Sequence, residues 1–151
     1  MSAGRHLLVI DARFYETLAD ELCRGAIAAA DAANASYERV SVPGVLEIPA
    51  ALAMALELQP GRHDGFVLLG CVIRGETSHY DIVAVQSART ISDLAVSRTL
   101  AVGSGILTVE TQAQAWSRAR VSEGDKGGTA ANAALAMIDL RRRMAAIGPE
   151  D

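Results

Sequence analysis

Apolar positions along this 151-residue chain fall into two alternating patterns. Nearly unbroken apolar runs of strand length occupy residues 6–11 (HLLVID), 65–73 (GFVLLGCVI) and 100–107, and residues 37–42 mix β-branched with polar side chains. Between them the period changes to that of a helix, with Leu18, Leu22, Ala26, Ala29, Ala30 and Ala33 recurring on one face of 15–33. Residues 46–58 and 80–97 read as helices in the same way, as do a segment carrying Ala113, Trp116 and Ala119 and a final stretch, 129–144. Pro43-Gly44, Pro60-Gly61 and the glycines of a turn at 124–128 punctuate these segments.

Strands that alternate with helices must be joined by crossovers, so neighbouring strands run parallel and helices cover both faces of the sheet. The expected architecture is α/β: a flavodoxin-like three-layer sandwich around a four-stranded parallel sheet, forming one domain over 1–151 with residues 148–151 frayed. Composition then removes several function classes. Half of the residues are hydrophobic (50%), yet no uninterrupted apolar run approaches the roughly 20 residues that span a bilayer. Residues 1–6 lack the apolar core of a secretory signal, which makes the cytoplasm the expected location. Lys+Arg 14 against Asp+Glu 18 gives net charge −4, without the basic excess that phosphate neutralisation requires, so no nucleic-acid partner is expected. Cys23 and Cys71 lie in apolar segments without CxxC spacing and are expected to be reduced core thiols, with neither a disulfide nor a zinc site.

In open α/β sheets, ligands bind beyond the carboxyl ends of the strands, which directs attention to residues 12–15, 42–47, 74–79 and 108–111. The third loop, RGETSHYD, combines a glycine with the hydroxyls of Thr77 and Ser78 where a helix begins. Free N–H groups there would cradle a phosphate or carboxylate; equally, one hydroxyl could simply cap the helix. His79 at the same junction titrates near neutrality and is a candidate general acid or base, or else a structural histidine. His6 and His63 are expected at the surface. Gly44 would let a ligand approach the backbone three residues before Glu47, whose carboxylate could hold hydroxyls or complement a helix dipole. Phe14 could stack on a planar ligand or act as a lid, and Arg118 and Lys126 flank a turn where a dianion could sit. No GxGxxG, Walker A, HExxH or GxSxG sequence is present. The first loop lacks the Ser/Thr/Gly-rich phosphate loop of a flavodoxin-type electron carrier, and Asp11 alone does not make the aspartate cluster of a phosphoryl-accepting receiver.

Taken in order, ARF (12–14), VPGVLEIP (42–49), GCVIRGETSHYD (70–81), GILT (105–108) and DKGG (125–128) resemble the lumazine synthase family over nearly the whole chain. The resemblance implies the same sandwich and a transferase that condenses 5-amino-6-ribitylamino-uracil with 3,4-dihydroxy-2-butanone 4-phosphate. The product is 6,7-dimethyl-8-ribityllumazine, formed in the penultimate step of riboflavin biosynthesis, and no metal or organic cofactor is implied. By position, Phe14 resembles the ring that stacks on the pyrimidinedione and Glu47 the carboxylate that holds ribityl hydroxyls, with Gly44, Val45, Leu46, Val72, Ile73 and Ser104 as further contacts. Gly75, Glu76 and Thr77 together with Arg118 are similar to the family's phosphate site, His79 to its proton-transfer residue, and Lys126 to the cation at the start of the last helix. Such chemistry needs no protein nucleophile, since the substrate's own amine attacks the ketone; the enzyme orients two molecules and moves protons. The family pattern is departed from at Tyr15 (commonly Asn), Leu46 (commonly aromatic), Ser122 (often Lys) and Thr129 (often acidic). The resemblance also implies a homopentamer in which the arginine comes from the neighbouring subunit, and in some members an icosahedral 60-mer. RVSEG at 120–124 lacks the run common in shell formers, so a free pentamer is expected, joined in part through the several apolar faces of 80–97. A non-catalytic lumazine or flavin carrier, or a shell-forming structural protein, is the alternative on this scaffold; His79 and Arg118 together favour catalysis.

Overall fold

The computed structural model describes residues 4–148. In chain order the elements are β1 (His6–Ala12), α1 (Glu16–Ala32), β2 (Ser36–Val42), a single 3-10 turn (Val45–Glu47), α2 (Ile48–Leu58), β3 (Gly65–Ile73), α3 (His79–Ser97), β4 (Val102–Val109), α4 (Gln112–Ala119) and α5 (Lys126–Ile147). The four strands are parallel in the order β2-β1-β3-β4. The central position of β3 is why its sequence is apolar without a break: Gly65 to Val72 are all buried. Strand alternation divides the core in two. Leu7, Val9, Val67 and Leu69 face Leu22, Ala26, Ala134 and Ile138 of α1 and α5, whereas Leu8, Ile10 and Leu68 face Ile48, Leu52, Val83 and Ile91 of α2 and α3. The result is the flavodoxin-like three-layer sandwich anticipated from the alternation of runs. Among the described residues no helix is long and apolar enough to cross a membrane.

Several local expectations are corrected. Gly127 and Gly128 belong to the first turn of α5, which begins at Lys126 and not at Thr129. Their smallness serves packing: a Cβ on Gly127 would collide with the backbone of Leu22 in α1. Asp125 caps the helix instead, its carboxylate accepting from the Gly128 N–H at 3.2 Å. The fourth strand lies two residues later than the apolar run suggested, pairing Val102 with Phe66, because Leu100 is used to close α3 through its N–H to the Ala95 carbonyl (2.9 Å). His63 is not a surface residue. Its side chain is 1% exposed, bonded to Glu38 and set edge-on to Phe66, while the His6 ring is half-buried. The fraying expected at 148–151 lies, apart from Gly148, outside the described residues.

Candidate active site

The carboxyl ends of β1, β2 and β3 open into a cavity of about 280 Å³. Its first wall is the loop after β1, held where the Arg13 N–H donates to the Val42 carbonyl (2.8 Å). Phe14 stands out from that loop, 74% exposed and edge-on to Tyr15 with ring centres 4.9 Å apart. Beneath it lies Asp11, wholly buried at the end of β1. Arg39 donates to both of its oxygens (3.1 and 3.2 Å), the Ser41 hydroxyl to one (2.8 Å) and Arg13 to the other (3.3 Å). Arg13 also reaches Asp20 at 2.6 Å, and the two arginines hold the Asp20 carboxyl below its usual range, the Arg13 hydrogen bond contributing most. A charged network thus fixes the backbone from which Phe14 projects.

The second wall is the 3-10 turn. Gly70 in β3 lets the turn seat on the sheet, since a Cβ there would stand 2.8 Å from a Val45 methyl and 3.1 Å from the Ala12 methyl. Gly44 has extended backbone, and a Cβ on it would lie 3.2 Å from a Glu47 carboxylate oxygen. Its glycine therefore makes room for Glu47 itself. Pro49, early in α2, costs no helical hydrogen bond there and lets the chain turn directly from this wall into the helix.

Cys71, Val72 and Ile73 form the floor, and Tyr80 and Val83 of α3 close the far side. Burial pushes the Cys71 thiol up to about 11, so it is a neutral wall atom and not a nucleophile. Arg74 ties the loop that follows: its backbone N–H donates to Val109 (2.9 Å), its guanidinium pairs with Glu110 (3.0 Å), and it lies 4.3 Å from the centre of the Tyr80 ring. His79 opens α3, and its N–H donates to the Thr77 hydroxyl at 3.2 Å.

Of the residues singled out in the sequence, Phe14, Gly44, Val45, Leu46, Glu47, Val72, Ile73, Gly75 and His79 line this one cavity. Glu76 and Thr77 sit in the adjoining loop outside its lining, and Ser104 lies within β4. Arg118 and Lys126 are on α4 and α5, also outside the lining, and the Arg118 guanidinium donates to the Gln114 carbonyl (3.0 Å). Tyr15, Pro43, Cys71, Tyr80 and Val83 were not anticipated as lining residues, although all but Val83 lie within or next to the segments that carry the motifs. Chemically, the cavity offers apolar and aromatic walls for a flat ring, one carboxylate for hydroxyls, and one imidazole for a proton.

That combination agrees with what the chain is similar to. Residues 4–142 match the family described as 6,7-dimethyl-8-ribityllumazine synthase. The chain belongs to the 6,7-dimethyl-8-ribityllumazine synthase family. It is 60% identical to 6,7-dimethyl-8-ribityllumazine synthase 1 of Rhizobium meliloti (strain 1021) over 144 residues, covering 93% of this chain and 94% of that one. It is 55% identical to the 6,7-dimethyl-8-ribityllumazine synthase of Agrobacterium fabrum over 142 residues (92% and 96% of the two chains) and 58% identical to that of Methylobacterium radiotolerans over 140 (93% and 84%). The activity is that of the family: a transferase forming 6,7-dimethyl-8-ribityllumazine in riboflavin biosynthesis.

Proposed function

We propose that the 280 Å³ cavity is where the condensation takes place and that its residues divide the work. Phe14 stacks on the pyrimidinedione of 5-amino-6-ribitylamino-uracil, and Glu47 accepts hydrogen bonds from ribityl hydroxyls, with Gly44, Val45, Leu46, Val72 and Ile73 shaping the slot and Ser104 contributing from β4. The phosphate of 3,4-dihydroxy-2-butanone 4-phosphate lies by Gly75, Glu76 and Thr77, near the amino end of α3, where the helix dipole favours an anion. His79 moves protons as the substrate amine adds to the ketone and water and phosphate depart. The observation that carries this reading is the convergence of Phe14, Glu47 and His79, which follow three different strands, on one cavity. Purified protein mixed with both substrates is expected to release lumazine, followed by absorbance, together with phosphate. A rate no greater than that of the protein-free mixture would overturn the reading in favour of a carrier.

The same proposal makes the site a product of assembly. Arg118 and Lys126 are the cations for phosphate, with Arg118 supplied to the cavity of a neighbouring subunit in a homopentamer. Two features support this: Arg118 is outside its own chain's cavity, and α2 and α3 carry exposed Met54, Leu58, Ile82, Val85 and Val96. A free pentamer, not a 60-chain shell, is the expected state, and light scattering giving the mass of a monomer or of a shell would contradict it. A cytoplasmic location fits the two unpaired cysteines.

A further inference from the structure

The amino ends of the strands, opposite the cavity, hold a second group of side chains that the condensation does not use. His6 opens β1, Glu38 is the third residue of β2, and His63 precedes β3 in the α2–β3 turn. His6 Nε2 lies 3.1 Å and His63 Nε2 2.7 Å from the same Glu38 oxygen, and one ligand atom from each residue falls within 4.8 Å of the others. We propose that His6, Glu38 and His63 bind a divalent cation of the zinc class, joining the starts of β1 and β2 to the turn that leads into β3.

Two imidazoles and a carboxylate are a donor set suited to zinc, whose N and O ligands at about 2.0–2.2 Å stand roughly 3.3–3.5 Å apart around a tetrahedral ion. The His–Glu separations are already near that spacing, and the His6 and His63 rings lie side by side with centres 5.3 Å apart. A second, independent feature marks the site. A ligating histidine releases its Nε2 proton and carries its hydrogen on Nδ1, which then needs an acceptor. His6 Nδ1 has one in place, the Ser36 hydroxyl at 2.7 Å, which in turn reaches the Arg5 carbonyl at 3.4 Å. His63 Nδ1 is buried with no hydrogen-bond partner among the described residues. His63 is therefore not held by a structural hydrogen bond on that side and presents only Nε2 to the cluster.

Arg62 is the group that the ion must displace. Its guanidinium makes two bonds to Glu38 (2.8 and 2.7 Å) and is about half exposed, so it can swing into solvent when a dication supplies the counter-charge. A site closed by a guanidinium makes a testable sign prediction: removing the arginine should strengthen metal binding. The whole protein, stripped with chelator, is titrated with Zn²⁺ while its melting temperature is followed, and separately with Co²⁺ while tetrahedral absorption bands are followed. Zn²⁺ is expected to raise the melting temperature and Co²⁺ to give those bands. Both signals should weaken at least tenfold in apparent affinity in His6→Ala and Glu38→Gln, persist in His79→Ala, and tighten severalfold in Arg62→Ala. His6→Ala, at a half-exposed ring, keeps the test available if a His63 variant does not fold. Absence of binding below millimolar metal would overturn the proposal. So would binding that survives both His6→Ala and Glu38→Gln, or that is lost in His79→Ala.

Discussion

Removing Arg39 should damage the fold more than its position on an edge strand suggests, because of what it leaves behind. Asp11 is completely buried and receives two of its four hydrogen bonds from Arg39. Breaking a buried pair by deleting one partner costs about 3–5 kcal/mol, since the remaining charge has lost its compensation. Here the Ser41 hydroxyl and the longer Arg13 contact remain, so Arg39→Ala should cost about 2–4 kcal/mol, or roughly 5–15 °C in Tm for a chain of this size. The charge can also be removed from both sides. Asp11→Leu combined with Arg39→Met replaces the pair by apolar groups of similar volume and should recover most of the loss, to within about 1–2 kcal/mol of the natural chain. Urea unfolding at a fixed protomer concentration, read by circular dichroism, gives both values, with an unchanged m-value required for the comparison. A loss below about 1 kcal/mol for Arg39→Ala, or a double variant as unstable as the single one, would refute the idea that buried charge sets the cost.

Two further outcomes follow from the site and from the opposite end of the sheet. Phe14→Ala should leave Tm nearly unchanged, because the ring is mostly exposed, while raising KM for the ribitylamino-uracil about 5- to 100-fold, the equivalent of roughly 1–3 kcal/mol of stacking; an unchanged KM would remove Phe14 from the binding role. Arg62 first, then His6 and His63, hold the Glu38 carboxyl well below the usual carboxylate range. A carboxyl whose pKa is lowered by folding stabilises the fold above its unfolded value, about 4.3, and loses that contribution as pH falls towards the folded value. In metal-free buffer the Tm deficit of Glu38→Gln should therefore be full at pH 7 and shrink steadily below about pH 4, whereas a constant offset would contradict the assigned cause.

What the sequence made legible was set by periodicity. The unbroken run at 65–73 announced a strand covered on both faces, and β3 is the buried centre of the sheet. Boundaries were lost where glycine served packing: Gly127 and Gly128 look like a turn in the sequence, and only the closeness of α1 to Gly127 and of the Asp125 carboxylate to Gly128 shows why a helix carries them. In the site, Phe14, Glu47 and His79 were visible because each follows a strand on the binding edge. Cys71 and Val83 were not, because an apolar residue in a strand or helix gives no sign of which end of the core it meets. The group of His6, Glu38 and His63 has no sequence signature at all: its members come from two strands and a turn, and His63 looked like a surface residue until the fold enclosed it.

In the proposed homopentamer one chain's cavity is completed by another chain's Arg118. Arg118→Ala and His79→Ala proteins, each impaired in the synthase assay, can be dissociated, mixed and allowed to reassemble. Random mixing places some intact His79 cavities beside an intact Arg118, so activity is expected to exceed the average of the two parents, with the lumazine and phosphate signals rising together. Mixed pentamers that form normally yet show only the parental average would contradict a site shared between subunits.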